Sequence, residues 1–368
     1  MVKVFASLSV LVLTIAAVKA QTLNMADYPK PNEVPDTKSP QVQAWLKEID
    51  LTGAPTTPLA KAPKGSPPEC PATPSDACIW TCTGCAGDDI LECGAPGTWG
   101  LTFDDGPSTA TPQLLDFLKT NKLSASFFLI GSNVIQFPAT VKRELQEGHH
   151  LASHTWSHTA LTTLTNEQIV AEMKWTEKAV LEATGKRMKY MRPPYGDINN
   201  RVRFVLKKMG YIPVDWTGDQ FDTNDWRIGT TGWDLTKVLS TFSTNLDTYV
   251  GKLTANANQA GFYCLEHDVS QTTVTAALQL IPLGLKKNIK FANVGDCQKD
   301  ASPYQSDAAN PNPTTPANAT TPSGAKPSAS ASHVPTNGPN VIGAGSHQAA
   351  SAGLISALAI GVAGALLA

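Results

Sequence analysis

The stretch Leu101-Thr102-Phe103-Asp104-Asp105-Gly106-Pro107 decides how the rest of this 368-residue chain is interpreted. A short apolar run leads into two adjacent carboxylates and then into a Gly-Pro turn. This order is typical of a buried strand that ends in a loop. Adjacent residues on a strand point to opposite sides, so Asp104 and Asp105 can serve different functions. An acidic turn has the same composition, and the partners elsewhere in the chain decide between the two interpretations.

Six more apolar runs follow this one, and helical patterns separate them. Strands that alternate with helices predict an α/β fold with a parallel sheet. Seven strands within residues 94–297 predict a distorted (β/α)7-type barrel rather than an eight-fold one. A doubly wound open sheet is the alternative, although no G-x-G-x-x-G motif follows the first strand. The seven runs are 100–103, 125–130, 150–153, 189–192, 212–215, 261–265 and 289–294.

Ionisable side chains follow five of the predicted strands. In parallel α/β folds the catalytic groups gather at the C-terminal ends of the strands, so these side chains are expected to meet. They are Asp104 and Asp105 after the first strand, His154 and His158 after the third, Arg192 and Tyr195 after the fourth, Asp219, Asp222 and Asp225 after the fifth, and Glu266, His267 and Asp268 after the sixth.

His154 and His158 are candidates for metal ligands. They are four residues apart, so one helical turn would place both imidazoles on the same face. Two histidines and one carboxylate, with further positions open, suit Zn²⁺, Co²⁺ or another divalent metal. Two solvated loop histidines are the alternative interpretation.

The segments that flank residues 94–297 have a different composition. Residues 21–93 predict a Pro- and Cys-rich arm, in which Val42, Trp45, Leu46 and Ile49 recur at helical spacing and indicate one short helix docked on the main domain. Residues 298–343 are rich in Ser, Thr and Pro and predict a disordered stalk. Asn318 begins the N-glycosylation sequon of that stalk.

Both ends of the chain carry the pattern of a sorting signal. Residues 1–20 resemble a signal peptide that is cleaved after Ala20, which predicts secretion. Residues 344–368 have the pattern of a glycosylphosphatidylinositol (GPI) attachment propeptide, with an apolar tail and no basic flank. A C-terminal membrane anchor is the alternative, and the missing Lys or Arg disfavours it. The attachment site is predicted at Gly343, with Asn337, Gly338, Asn340 and Ser346 as alternatives.

Seven cysteines on a secretory route predict disulfide bonds, and the odd count leaves one thiol over. Cys82 and Cys85 have the spacing of half a zinc site, but no second close pair accompanies them, so disulfides are favoured. We expect a bond between Cys93 and Cys264, which would close the seam of an incomplete barrel. The formal net charge of −2 gives no basic surface for nucleic acid.

The strand-end segments resemble, in order, the five motifs of the polysaccharide deacetylases of carbohydrate esterase family 4 (the NodB homology domain). The resemblance covers residues 94–294, and the sorting signals with the Cys-rich arm make the chain most similar to GPI-anchored fungal chitin deacetylases. The matching segments are TFDDGP at 102–107, HTWSH at 154–158, RPPYG at 192–196, DTNDW at 222–226 and LEH at 265–267.

The resemblance implies metal-dependent hydrolysis of N-acetyl groups on chitin, giving chitosan and acetate. It assigns the metal, Zn²⁺ or Co²⁺, to Asp105, His154 and His158, where a bound water becomes acidic enough to attack a carbonyl carbon. Asp104 would be the general base that receives the proton of this water and would also contact the substrate. Arg192 would hold the Asp104 carboxylate ionised and oriented.

Four more residues receive roles from the same resemblance. His267 would be the general acid that protonates the leaving nitrogen, and Asp222 would be its carboxylate partner. Asp219 has a comparable spacing and stays an alternative to Asp222. The backbone N–H of Tyr195 would stabilise the oxyanion, and Leu265 would line the pocket for the acetyl methyl group.

Two other functions stay open from the sequence. One is an O-acetyl esterase on another polysaccharide, and the other is a chitin-binding wall protein with weak catalysis. We expect a monomer whose partners are chitin or chitooligosaccharides, cell-wall glycans and, through the GPI anchor, the membrane.

Overall fold

The structure is a computed structural model that describes residues 23–71 and 77–306. Contacts divide the chain into units 1–313 and 314–368, and every described residue belongs to the first unit. The predicted signal peptide, the glycosylation site Asn318, the GPI site Gly343 and most of the predicted stalk lie outside the described residues. No helix in the described ranges has the length and hydrophobicity that are needed to cross a membrane.

The strands of the described residues form two parallel sheets. The six-stranded sheet has the order β6-β5-β4-β3-β2-β8, and the three-stranded sheet has the order β7-β1-β9. Every strand pair is parallel, so the C-terminal ends of each sheet's strands lie at one edge. The strands are β1 (Thr98–Gly100), β2 (Thr102–Asp104), β3 (Ser126–Leu129), β4 (His150–Ser153), β5 (Tyr190–Met191), β6 (Ile212–Pro213), β7 (Phe262–Tyr263), β8 (Glu266–His267) and β9 (Lys290–Ala292).

All seven predicted runs contain strand, so the α/β class is confirmed. The first run is divided into β1 and β2, whereas the sixth run contains β7 and is followed directly by β8. Each of these strand pairs joins the two sheets. Leu101 marks the division of the first run: its N–H donates to Ala292 O (2.9 Å), and its carbonyl accepts from Ser126 N (2.9 Å). Before this residue the segment pairs with β9, and after it the segment pairs with β3. Closure into a seven-stranded barrel stays a prediction.

Helices connect most of the consecutive strands. The 19-residue helix α6 begins at a capping box, in which the Thr165 side chain accepts from Gln168 N and the Gln168 side chain accepts from Thr165 N. It ends at Gly185, whose φ of 73° suits glycine. The helices are α1 (Pro40–Glu48), α2 (Trp80–Thr83), α3 (Thr111–Asn121), α4 (Gly131–Val134), α5 (Pro138–Gln146), α6 (Asn166–Thr184), α7 (Asn200–Lys208), α8 (Leu235–Ala255), α9 (Gln271–Lys286) and α10 (Val294–Cys297).

The predicted arm docks on the main domain through aromatic rings. Val42 of α1 is fully buried, and the Trp45 ring meets the edge of Trp175 on α6 at 5.1 Å between centroids. Tyr28 stacks parallel to Trp156 at 5.9 Å. The short helix predicted from the 3.6-residue spacing is therefore present and buries its apolar face against α6.

The predicted stalk begins later than residue 298. The Lys189 ammonium pairs with Asp300 at 2.6 Å, and Gln305 N donates to Arg187 O at 2.9 Å. Tyr304 forms an antiparallel bridge with Met188. Because these contacts bind residues 300–305 beside β5, this part of the chain belongs to the folded unit.

The described cysteines form three disulfides, which confirms disulfides over a zinc site. Two bonds, Cys70–Cys82 and Cys78–Cys85, lie within the arm. The expected bond between Cys93 and Cys264 is wrong: Cys93 is bonded to Cys297, and Cys264 is a buried free thiol. The Cα atoms of Cys93 and Cys297 are 4.8 Å apart, because α10 returns the chain to the start of the domain. Cys264 faces the core between β7 and β8.

Loss of the Cys93–Cys297 bond is expected to lower the free energy of unfolding by about 2–5 kcal/mol, because the bond joins distant parts of the chain. The Cys93→Ala/Cys297→Ala double variant should show this loss in urea unfolding. Replacing the buried Cys264 thiol by Ala should cost about 1 kcal/mol. A proteolytic peptide that links Cys93 to Cys264 would contradict the observed pairing.

Candidate active site

The two carboxylates that end β2 lie at the centre of the site. Asp104 is the last strand residue, and it is directly opposite His267 of β8 in the parallel register. Asp105 follows in the left-handed region with a φ of 72°, which Asp tolerates better than most residues. Asn133 of α4 holds this turn, since its side-chain N–H donates to Asp105 O at 2.9 Å. The strand end therefore presents the two carboxylates in different directions.

Asp105, His154 and His158 come together as the three predicted metal ligands. Their ligand atoms all lie within 4.8 Å of one another. The Asp105 Oδ1 atom is 3.3 Å from His154 Nε2 and 3.1 Å from His158 Nε2. The His154 side chain is buried, whereas those of Asp105 and His158 are partly exposed, so the cluster lies at the edge of the core, where charge interactions are stronger than in bulk water.

The hydrogen bonds around the cluster leave lone pairs that face one another. His154 Nδ1 lies 2.8 Å from the carbonyl oxygen of Arg192, which can only accept, so Nδ1 carries the proton. The lone pair of a neutral His154 then lies on Nε2 and faces Asp105 Oδ1, which is buried without a hydrogen-bond partner. Two acceptors in contact call for a cation between them, so this residue set fits a divalent metal.

The pKa shifts of the cluster agree with ligand chemistry. Burial lowers the pKa of His158 to about 4, which keeps its imidazole neutral at physiological pH. Burial raises the pKa of Asp105, but the imidazoles of His158 and His154 lower it by more, so its net pKa lies below the ordinary value. A neutral imidazole and an ionised carboxylate are the forms that bind metal.

The expected helical turn between His154 and His158 is absent. The segment after β4 is an irregular loop in which Thr155 and His158 have φ values of 66° and 56°. The two rings still approach to 4.9 Å between centroids. The four-residue spacing identified the correct pair of histidines, but the expected helix is not the cause. The conformation of the loop brings the two rings together.

Arg192 contacts Asp104 as the resemblance implies. Its Nη1 atom donates to Asp104 Oδ1 at 2.8 Å and to Thr102 Oγ1 at 2.9 Å, and its Nε donates to Val214 O at 3.1 Å. The guanidinium is fully buried and lies 4.2 Å above the Phe128 ring. These contacts fix the guanidinium and direct the Asp104 carboxylate.

The carboxylate partner of His267 is Asp225, so the prediction of Asp222 is wrong. His267 Nδ1 lies 2.7 Å from Asp225 Oδ1, and His267 N donates to Asp225 Oδ2 at 2.9 Å. Burial lowers the pKa of His267, but the Asp225 charge and hydrogen bond raise it by more, to about 10. At neutral pH this histidine is therefore an imidazolium that can donate a proton.

Strand register explains the difference between Asp222 and Asp225. Asp222 forms a parallel bridge with Leu265, two residues before His267. Its Oδ1 accepts from Asn224 N at 2.8 Å, and burial raises its pKa to about 6. A left-handed Asn224 then turns the chain, so that Asp225 reaches the level of His267. Asp219, the other alternative, lies in a 3-10 turn, Asp219–Phe221, before this bridge.

Tyr195 and Leu265 lie near the site, although their predicted contacts with substrate stay predictions. The Tyr195 hydroxyl is 3.1 Å from His158 Nδ1, and its backbone adopts a φ of 61° in a 3-10 turn, Pro194–Gly196. Leu265 is buried next to the bridge with Asp222. Trp226, the residue after Asp225, is exposed.

The chain is similar to several known proteins. The model of the polysaccharide deacetylase family matches residues 92–214. "Chitin deacetylase 1" of Cryptococcus neoformans var. grubii is 41% identical over 269 residues, which are 70% of this chain and 55% of that protein. "Chitin deacetylase" of Amylomyces rouxii is 35% identical over 302 residues, 78% of this chain and 69% of that protein. The chain thus spans about half the length of the first relative.

A solved structure has the same architecture. The structure of the chitin deacetylase from the fungal pathogen Colletotrichum lindemuthianum aligns with 62% of this chain and 99% of its own, at a TM-score of 0.53 and 32% identity.

Proposed function

Because the chain belongs to the polysaccharide deacetylase family, we propose that it is a divalent-metal-dependent hydrolase of N-acetyl groups. Its proposed substrate is chitin or chitooligosaccharide, and its products are chitosan and acetate. The names of the relatives support this substrate class. The observation that carries the proposal is the convergence of the Asp105 cluster, the Asp104–Arg192 pair and the Asp225–His267 pair at one end of the strands.

The first part of the proposed reaction belongs to Asp104. Its carboxylate, held by Arg192 at 2.8 Å, accepts a proton from the water that attacks the acetyl carbonyl carbon. A Zn²⁺ or Co²⁺ ion held by Asp105, His154 and His158 would act as a Lewis acid toward the water and the acetyl oxygen. The Tyr195 backbone N–H donates a hydrogen bond to the oxygen on which negative charge develops.

The second part belongs to His267. Breaking the C–N bond requires a proton on the departing nitrogen, because an amide anion is a poor leaving group. His267 donates this proton from its Nε2 atom, since Nδ1 is engaged by Asp225. The direct register of Asp104 and His267 on neighbouring strands supports this pairing of a proposed base with a proposed acid. Leu265 lines the space for the acetyl methyl group.

Acetate release from chitin oligosaccharides tests the proposal, with acetylated xylan as the competing substrate. We expect release from the chitin oligosaccharides that stops on chelation and returns with Zn²⁺ or Co²⁺. His267→Ala should impair amide cleavage more than ester cleavage, because an alcohol leaving group needs less protonation. Chitin binding without acetate release in the presence of metal would favour a wall-binding protein instead.

We expect Asp225→Asn to shift the alkaline limit of activity to lower pH. Burial lowers the pKa of His267, and Asp225 is the main group that raises it, with smaller contributions from Asp105 and Asp104, to about 10. Without the Asp225 charge the pKa of His267 falls, so the protonated fraction of the variant decreases above neutral pH. A bound metal ion would lower the pKa of His267 in the wild type and in Asp225→Asn alike. The difference in pKa that Asp225 causes would therefore remain. At pH 8 the expected loss of kcat is about 10–10²-fold.

Asp222→Asn is the matched control for this prediction, since Asp222 is a partly buried carboxylate of the same loop that accepts a hydrogen bond from Asn224 instead. Its alkaline limit should shift much less than that of Asp225→Asn, because the hydrogen bonds of His267 go to Asp225 and Asp222 contributes only its charge. A shift in Asp222→Asn with none in Asp225→Asn would reverse the assignment.

Secretion, the GPI anchor and the monomeric state are inferred from the sequence alone. We propose a secreted monomer that is anchored by GPI, through Gly343, at the plasma membrane and cell wall. Release of the protein from cells by a phosphatidylinositol-specific phospholipase C tests the anchor, and Gly343→Pro should abolish it if the site is correct. Light scattering on the purified protein tests the monomer.

A further inference from the structure

Glu172 is a fully buried carboxylate that lies outside all five motifs. It belongs to α6, and its side chain is inaccessible to solvent. A buried carboxylate needs compensating hydrogen bonds, because removal from water disfavours its charge. The hydrogen-bond partners of Glu172 show which segment of the chain its carboxylate stabilises.

The Glu172 carboxylate accepts hydrogen bonds from the loop between the two histidine ligands. Trp156 N donates to Glu172 Oε2 at 2.7 Å, and Ser157 N donates to the same oxygen at 2.8 Å. The Ser157 hydroxyl donates to Glu172 Oε1 at 2.5 Å. One carboxylate therefore binds two consecutive backbone N–H groups and one side chain of this loop.

The loop needs such support because its backbone is strained. Thr155 adopts a φ of 66°, which is exceptional for a β-branched residue, and His158 adopts a φ of 56°. Strained backbone persists only where the surroundings determine it strongly. The residues held by Glu172 lie between these two strained positions. His158 N also donates to Thr155 Oγ1 at 3.2 Å, which links the two ends of the turn.

We propose that Glu172 is a positioning residue of the metal site, which fixes the loop 154–158 so that both imidazoles reach Asp105. The inference rests on the proposed function, since it concerns the same metal centre. Glu172 acts through the backbone N–H groups of Trp156 and Ser157, which lie between the two histidine ligands in the chain. Loss of a residue that orients metal ligands commonly weakens metal binding about 10–100-fold.

Glu172→Gln tests the inference through metal affinity rather than through catalysis. Gln keeps the shape but loses the charge, and it cannot offer acceptors to all three donors. We expect the Zn²⁺ dissociation constant, measured by competition with a chromophoric chelator, to rise about 10–100-fold. Thermal unfolding of the metal-free protein is measured in parallel, so that a loss of general stability is separated from a loss of affinity.

Glu177→Gln is the matched control on the same helix. Glu177 is also buried, but it pairs with Arg187 at 3.1 Å and accepts from Tyr211 at 3.3 Å, away from the ligand loop. This variant should lower the melting temperature and leave the Zn²⁺ dissociation constant unchanged. An equal loss of affinity in both variants would overturn the inference, as would wild-type affinity in a folded Glu172→Gln protein.

If Glu172→Gln does not fold, Ser157→Ala decides, because it removes the 2.5 Å hydroxyl contact with Glu172, together with a 2.7 Å contact to Thr159 Oγ1, and keeps the backbone N–H contacts. It should weaken Zn²⁺ binding in the same direction, and wild-type affinity in Ser157→Ala would then overturn the inference. A wild-type protein that binds no Zn²⁺ would instead refute the proposed metal centre itself. The failure of the inference and the failure of the proposed function therefore give different results.

Discussion

Asp104→Asn is expected to lower kcat for acetate release by about 10²–10⁴-fold, the usual contribution of a general base. Asn keeps an oxygen for the 2.8 Å contact with Arg192 Nη1 but cannot accept a proton from water. The Zn²⁺ dissociation constant should change little, because Asp104 Oδ2 is 3.9 Å from His154 Nε2 and lies outside the ligand cluster. Steady-state kinetics and metal titration on the same preparation measure both effects.

Asp116→Asn is the control for this substitution. Asp116 also pairs with an arginine, at 2.6 Å from Arg143, but on the solvent-exposed side of α3. An exposed ion pair contributes little, so this variant should keep wild-type kinetics. Full activity in Asp104→Asn would remove Asp104 from the role of base.

Asp105→Asn is expected to abolish both metal binding and acetate release. The substitution replaces the anionic ligand that lies 3.1–3.3 Å from both histidine Nε2 atoms. A catalytic metal contributes several kcal/mol to the transition state, so the loss of kcat/KM should be at least about 10³-fold. Elemental analysis of the dialysed protein should find metal in the wild type and in Asp116→Asn, but not in Asp105→Asn.

The two carboxylate variants thus separate two roles for adjacent residues. Asp104→Asn should retain metal and lose turnover, whereas Asp105→Asn should lose both. Retention of one metal ion per chain in Asp105→Asn, with activity restored by excess Zn²⁺, would contradict the ligand assignment.

The sequence was sufficient to predict elements whose signal is local. The apolar run before Asp104 and the alternation of strand and helix identified seven strand segments, all of which are present. The His154–His158 pair was recognisable from residue type and spacing. Their loop conformation was not, because positive φ at Thr155 and His158 is imposed by surrounding contacts and leaves no mark on the hydrophobic pattern.

The sequence was insufficient to predict contacts that depend on the register between strands. Asp222 and Asp225 belong to the same short motif, and only the bridge between Asp222 and Leu265 shows that Asp225 is level with His267. Cysteine pairing has the same difficulty, since Cys93 and Cys297 meet only after α10 has turned back. A connectivity cannot be deduced from spacing alone.

Glu172 shows a third kind of limit. In the sequence it is one of several acidic residues in a long helix, where charge ordinarily indicates a solvated face. Its neighbours Ala171 and Met173 are buried as well, so this turn of α6 is enclosed on every side. The tertiary position of α6 beneath the ligand loop gives this carboxylate its function, and no motif spacing records it.

The most direct test of the proposed metal-dependent deacetylation is a titration of metal-stripped wild-type protein with Zn²⁺. Bound metal per chain and acetate released from a chitin oligosaccharide are measured at each step. We predict that acetate release is absent at the start, rises in proportion to bound Zn²⁺, and stops rising at one ion per chain. Full acetate release by protein that holds no metal, or saturation with Zn²⁺ without acetate release, would contradict the proposal.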